Sequence, residues 1–372
     1  MEKIFEISKI NNLELQNRFV RSATWEGMAD EQGFCTDKLS RTMVNLAKGG
    51  VGLIITGHLY VQQVGQASPF QLAIYEDKFI DELKAMTDEV HYAGGKIIAQ
   101  IAHAGCQGSA KMSGLEPVGP SVLQVNGKAL CREMTTEEIN VLIQDFTAAA
   151  VRAKTAGFDG VQLHGAHGYL FNQFLSGFYN KRTDEYGGSL QNRMRALLAT
   201  LRAIRAAVGD TFPIMIKLNS EDFLDGGLTR EDVIDIAAIL EKEGIDAIEY
   251  SGGTIQSDKK LVPVRVGRIE KENEAFYREA AAQYKKRIKV PLLLVGGIRS
   301  FETAEAVINE GIADYISMSR PFIREPELIN TWQSGERSPA ACISCNACFR
   351  PGVKGEGIYC VAKEKEEQKK TD

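Results

Sequence analysis

Residues 189–244 read SLQNRMRALLATLRAIRAAVG, then DTF, then PIMIKLN, then SEDFLDGGL, then TREDVIDIAAILEKEG. The run PIMIKLN (213–219) stands between two segments whose apolar residues recur at helical spacing. Its own apolar residues are nearly continuous rather than alternating, as expected of a strand covered on both faces. A covered strand between two amphipathic helices is the repeating unit of a parallel α/β fold.

The same unit recurs along the chain. Candidate strands are RFVRSAT (18–24), VGLIITG (51–57), KIIAQIA (96–102), GVQLHGA (160–166), PIMIKLN, AIEYSGG (247–253), PLLLVGG (291–297) and YISMSR (315–320). Helical patterns separate most of them, including 77–94, 135–157, 189–209 and 229–244; all four end in Gly, and Thr135 and Thr229 are suited to N-caps. Eight strands alternating with helices predict an α/β fold, a (β/α)8 TIM barrel, over 1–336, with a Cys-rich extension and charged tail over 337–372. An open doubly wound sheet is the alternative, weakened because no GxGxxG follows the first strand. The Gly/Pro-rich stretch 103–134 is expected to form a loop or small hairpin over the barrel mouth. The tail from 362 is expected to be solvated and frayed.

The 372 residues carry a net charge of −5 with a pI near 5.8, which argues against nucleic acid or an anionic membrane as partner. No apolar stretch approaches the roughly 20 residues of a spanning helix, and MEKIFEISKI lacks the apolar segment of a signal peptide. A cytoplasmic location follows, where seven cysteines are expected as thiols or metal ligands rather than disulfides.

Chemistry in such a barrel sits at the C-terminal strand ends. These offer Ala23, Thr24 and Trp25; Gly57; Gln100 and His103; His164 and His167; Lys217; Ser251 and Gly252; Gly296 and Gly297; Ser319 and Arg320. Gly296-Gly297 and Ser319-Arg320 follow the seventh and eighth strands, where barrels bind phosphate with backbone N–H groups and Arg; plain tight turns are the alternative. Gln100, His164 and Lys217 present an amide, an imidazole and an ammonium, which suit a planar ligand that becomes anionic, such as a reduced flavin. His164 and His167 also raise the possibility of a metal. The motif leaves a strand, where residues three apart point away from each other, and no acid within it completes a ligand set. Two structural histidines are the remaining alternative.

The block HGAHGYLFNQFLSGFYNKRTDEYGGSLQNRMR (164–195) resembles the signature of the Old Yellow Enzyme-like flavin oxidoreductases. The resemblance extends through NRFVRSATWEGM (17–28), AQIAHAG (99–105), LVGGI (294–298) and SMSRPFIREP (317–326). It implies FMN held in a (β/α)8 barrel, with hydride passing from NAD(P)H to the β-carbon of an activated C=C bond. By position, His164 and His167 resemble the pair that hydrogen-bonds the substrate oxygen, and Tyr169 resembles the proton donor. Gln100 and Lys217 then fall at the flavin pyrimidine, and Ala23, Thr24 and Gly57 along its ring. Gly296, Gly297, Ser319 and Arg320 fall at its phosphate. Asp184, Glu185 and Arg193 are expected as buried partners behind the site. Trp25 departs from relatives that carry Thr or Cys near the reactive flavin nitrogen, so the hydroxyl or thiol that tunes the flavin there is expected to be missing.

Cys342, Cys345, Cys348 and Cys360 follow C-x2-C-x2-C-x11-C. Clustered thiolates suit an iron–sulfur cluster or zinc. The spacing resembles the [4Fe–4S] loop of 2,4-dienoyl-CoA reductase and trimethylamine dehydrogenase. Cys35, Cys106 and Cys131 are expected as packing or loop thiols. The chain given ends 12 residues after Cys360, so the FAD/NAD(P)H domain of those relatives is expected to be absent. Electrons are then expected from a partner protein or from NAD(P)H directly. The leading expectation is an FMN-dependent ene-reductase acting on a small activated alkene, an enoyl-CoA or a related compound, in a homo-oligomer. Amine dehydrogenation, an electron-transfer subunit, and an aldolase using Lys217 as Schiff base are the alternatives.

Overall fold

The eight apolar runs form eight parallel strands in the computed structural model, which describes residues 2–371. They are β1 (Phe19–Arg21), β2 (Leu53–Ile55), β3 (Ile97–Ala102), β4 (Val161–Gly165), β5 (Ile214–Asn219), β6 (Ala247–Ser251), β7 (Leu292–Val295) and β8 (Tyr315–Met318). Each pairs in parallel with its neighbour, and β8 pairs with β1, so the sheet closes into a barrel. Closure removes both sheet edges, and every strand residue is then covered from inside or outside. That is why the strands read as continuous apolar runs.

Seven helices follow the first seven strands in turn: α1 (Asp37–Lys48), α2 (Ile80–Tyr92), α3 (Thr136–Thr155), α4 (Arg195–Val208), α5 (Arg230–Lys242), α6 (Arg278–Arg287) and α7 (Phe301–Asn309). Thr135 and Thr229 cap α3 and α5 through reciprocal capping boxes with Glu138 and Asp232. The segment 189–209 is two helices rather than one, Leu190–Arg193 and Arg195–Val208, joined at Met194.

Two apolar layers result. The larger lies between the strands and the outer helices. The smaller fills the barrel axis with Val20, Leu53, Ile55, Ile98, Met215, Ala247, Leu293 and Tyr315, and the N-terminal hairpin Ser8–Ile10/Leu13–Leu15 adds Ile10, Leu13 and Leu15 to it. This plug closes the N-terminal end of the barrel and leaves the opposite end open.

Three expectations change. The stretch 103–134 does hold a small hairpin, Gln124–Val125 with Lys128–Ala129, but Cys106 and Cys131 are not thiols: they form a disulfide. Ser121 O and the side-chain-free Gly119 lie against this bridge, and a Cβ at Gly119 would stand 2.2 Å from Cys106 Sγ. The tail is exposed but helical, Val361–Thr371, because Arg324 pairs with Glu366 and anchors it. Behind the site it is Arg182 that is buried, donating to Asp184, Pro120 O and Met134 O, while Asp184 and Glu185 are exposed and Arg193 is part-buried, so none of these three is a buried partner. Among the described residues no helix is long and apolar enough to cross a membrane.

Candidate active site

The open end of the barrel holds a cavity of about 460 Å³, within the roughly 300–1,000 Å³ usual for ligand sites. Ala23, Thr24, Trp25, Gln100, His164, His167, Tyr169, Lys217, Gly296, Gly297, Ser319 and Arg320 all line it. Gly57 does not. Its N–H donates to Glu26 Oε1 (2.8 Å), and Glu26 is paired in the interior with Arg21 (2.8 Å), so the backbone there is turned into the wall. The next residue, His58, faces the cavity instead.

At one end of the cavity the interior of the barrel carries a buried polar chain. Gln100 Nε2 donates to Gln162 Oε1 (2.7 Å), and Gln162 Nε2 donates to Glu249 Oε2 (2.9 Å). The same carboxylate oxygen lies 3.2 Å from Lys217 Nζ, which also donates to Ser22 Oγ (2.8 Å). The chain holds the Gln100 amide and the Lys217 ammonium in fixed positions at low exposure. Gln162 and Glu249 went unread in the sequence. The available signal was a polar residue inside an otherwise apolar strand, since an unpartnered one is too costly to bury.

His164, the strand neighbour of Lys217, and His167 bring their rings to 5.2 Å, and Tyr169 stacks obliquely 4.5 Å from His164. The expectation that residues three apart diverge fails because the strand ends at Gly165 and His167 turns left-handed, φ +63°. That turn is sparsely populated for a non-glycine residue and needs support. Asn219 Oδ1 accepts the His167 N–H (3.1 Å), and Asn172 Oδ1 accepts the Gly168 N–H (2.7 Å). Both amides in turn donate to Asp222 Oδ1. Gln107 donates to the carbonyls of His167 and Gly168 (2.8 and 2.6 Å), and His167 Nε2 lies 2.7 Å from Ser251 Oγ. Burial first, and the cation of Lys217 among nearby charges, hold both imidazoles well below their usual pKa, so they stand neutral. Desolvation raises the Tyr169 phenol, which keeps its proton.

At the other end, Gly296 (φ +144°) and Gly297 (φ +76°) turn backbone toward the cavity; a Cβ at Gly297 would stand 2.5 Å from Phe276 Cζ. Thr24 and Ser319 share a hydrogen bond of 2.6 Å. Arg320 donates to Arg265 O and Asn346 Oδ1, both at 2.7 Å. Arg299, which sequence reasoning missed, lines the same end, and burial pushes its guanidinium down to about 10. Its Nε has no partner among the described residues. Two cations, an unpaired buried donor and glycine backbone form a donor set of the kind that suits an anion.

Cys342, Cys345, Cys348 and Cys360 line one small separate pocket with Arg320 and Arg324. Ser344 and Asn346 between them are left-handed (φ +56° and +59°), which folds the loop back on itself. Yet no group of three or more His, Cys, Asp or Glu among the described residues is placed to hold a metal ion. The expected metal at the four cysteines is therefore not shown, and none is shown at His164 and His167. Arg320 lines both this pocket and the large cavity.

Residues 3–338 match the NADH:flavin oxidoreductase / NADH oxidase family. The chain belongs to that family. It is 38% identical over 347 residues to an NADH oxidase of Thermoanaerobacter brockii, covering 92% of this chain and 52% of the oxidase. It is 34% identical over 329 residues to an NADPH dehydrogenase of Listeria innocua, covering 88% and 93%. A solved complex of 2-naphthoyl-CoA reductase with 2-naphthoyl-CoA superposes with a TM-score of 0.86 at 32% identity, over 95% of this chain and 55% of that one. The chain thus spans about half the length of the oxidase and of the reductase. The family match covers the barrel.

Proposed function

We propose that the chain is an FMN-dependent NAD(P)H oxidoreductase that reduces an activated C=C bond. The observation that carries this reading is that His164, His167 and Tyr169 line the same cavity as Gln100 and Lys217 and as Gly296, Gly297, Ser319 and Arg320. The residues fit FMN. Gly296, Gly297, Ser319, Arg320 and the unpaired Nε of Arg299 suit its phosphate, Thr24 and Trp25 its ring, and Gln100 and Lys217 its pyrimidine edge. When bound, FMN supplies the hydride.

The chain's own residues do the rest. Neutral His164 and His167 donate hydrogen bonds to a substrate carbonyl oxygen, where negative charge develops as the β-carbon is reduced. Tyr169 holds its proton until the α-carbon needs it. Trp25 donates its indole N–H to Pro69 O (3.0 Å) and presents only ring to the cavity, which favours flat, apolar substrates. The likeness to 2-naphthoyl-CoA reductase supports an acyl-CoA ester as one such substrate.

A [4Fe–4S] cluster at Cys342, Cys345, Cys348 and Cys360 belongs to the same proposal. Four thiols facing one pocket beside two arginines support it, and a cluster takes ligands further apart than a single zinc ion does. Arg320 between the two pockets supports electron delivery from a partner protein or domain, with direct reduction by NAD(P)H as the other route. A homo-oligomeric state and a cytoplasmic location rest on the resemblance and the composition alone.

The test is anaerobic purification, an absorbance spectrum, iron and zinc analysis, and reduction of 2-cyclohexenone by wild type and Tyr169→Phe. Flavin bands, about four irons per chain and loss of alkene reduction in the variant are expected. A well-folded protein without flavin, or a variant that keeps flavin and full activity, overturns the reading.

A further inference from the structure

Tyr169 presents a problem that the proposed mechanism leaves open. Each turnover removes its proton, and the phenol sits in a desolvated site where a lasting phenolate is costly. Some group must return the proton between turnovers. Among the ring neighbours of Tyr169, His164 is assigned to the substrate oxygen. The other is His58, with its ring centroid at 5.4 Å and its Nε2 only 3.2 Å from the Tyr169 hydroxyl.

The local structure holds His58 in place from both sides. The N–H of the preceding Gly57 is bound by Glu26, and the His58 carbonyl accepts from Gln71 Nε2 (2.9 Å). Gln71 is itself fixed, because its Oε1 accepts the N–H groups of Ala67 and Ser68. The following Leu59 pairs with Ile101 beside β3. A loop tied at three successive residues presents one imidazole to one phenol. Burial pushes this imidazole down to about 4, so near neutral pH it carries one N–H and one lone pair. A neutral imidazole can donate at one nitrogen while accepting at the other.

We infer that His58 is the proton-relay residue that reloads Tyr169 after each turnover. The inference rests on the proposed role of Tyr169 and deepens it. As the α-carbon–hydrogen bond forms, the Tyr169 O–H bond breaks. The phenolate then takes the Nε2 proton of His58, while Nδ1 takes one from water, leaving hydroxide to solvent and the ring in its other tautomer. Exchange with water restores the first tautomer. Only protons move in these steps; no electrons are gained or lost. His58 acts through Tyr169 and is a positioning residue.

The experiment uses holoenzyme and 2-cyclohexenone, with reduced methyl viologen as electron source so that the natural donor need not be known. Single-turnover oxidation and steady-state turnover are measured for wild type, Tyr169→Phe, His58→Gln and His58→Ala. In His58→Gln the first turnover should stay within about twofold of wild type, because Tyr169 enters it protonated. Later turnovers should slow by about 10- to 100-fold, toward the low end of what a positioned acid or base contributes, and should gain a solvent isotope effect. Added imidazole should restore steady-state turnover in His58→Ala. Nitrogen-15 NMR should show the His58 ring neutral at pH 7.

Equal slowing of first and later turnovers with no rescue by imidazole would mean a purely structural role and overturn the inference. So would unchanged steady-state turnover in both variants, or a charged His58 ring at pH 7. If Tyr169→Phe itself reduces the alkene at the wild-type rate, the failure lies in the donor assignment beneath the relay. That outcome is distinct because it appears in the first turnover.

Discussion

Acidification probes the buried imidazoles of the mouth directly. His58, His103 and His164 are all buried, and desolvation lowers them, to about 4 for His58, about 3 for His103 and well below the usual value for His164. In the unfolded chain each titrates near 6.5. The folded values are the lower ones, so as pH falls the unfolded chain binds protons first. Stability that is complete above about pH 6.5 is then lost as pH drops toward the folded values. Each pH unit in that window costs about 1.4 kcal/mol per group. At pH 5 each histidine therefore costs about 2 kcal/mol, and the three together about 6 kcal/mol, against a total stability of about 5–15 kcal/mol for a typical protein. His167, which opens more widely on the cavity, is left out of this figure.

Urea unfolding of the holoprotein between pH 7.5 and pH 5, with wild type beside His103→Asn, isolates one group. His103 Nδ1 accepts the Gly105 N–H (2.9 Å), a bond that an Asn oxygen can replace without titrating. Every other titrating group is shared by the two proteins and cancels in the difference. The stability of wild type relative to the variant should fall by about 2 kcal/mol from pH 7.5 to pH 5. A difference that does not change with pH would refute the argument that burial keeps these rings neutral.

Other substitutions test the remaining parts of the site. Gly297→Ala places a methyl 2.5 Å from Phe276 in a left-handed turn; flavin occupancy, read from the absorbance ratio after dialysis, should fall at least about tenfold, or about 1.4 kcal/mol. Asn219→Ala removes the acceptor of the His167 N–H and a donor to Asp222. It should cost about 1–3 kcal/mol in urea unfolding and slow alkene reduction more than it weakens flavin binding. Gly119→Ala sets a Cβ 2.2 Å from Cys106 Sγ, so thiol titration of unfolded, unreduced protein should find two additional free thiols from the Cys106–Cys131 pair.

The repeating unit was legible in the chain because burial on both faces leaves a one-dimensional trace. All eight strands lie within the apolar runs, and the strand-end rule alone brought Gln100, His164, Lys217 and Arg320 to one mouth. Long-range pairing left no such trace. Glu249 looked like one polar residue in a strand until the barrel brought it to Lys217, 32 positions earlier in sequence. Gly57 and His58 are adjacent, and only the buried Arg21–Glu26 pair decides which of them faces the cavity.

The same division holds for the remaining sites. Composition and motif determined the fold class, the family likeness and the glycine turn after β7. Tertiary structure alone decided that His167 swings back beside His164, that Cys106 meets Cys131 across 25 residues, and that His58 reaches Tyr169 across 111. The physical reason is range. Backbone preference and hydrophobic period act between neighbours in sequence, so a reader of the chain can follow them. Hydrogen bonds between side chains act over about 3 Å of space, and only the closed barrel sets which side chains come that near.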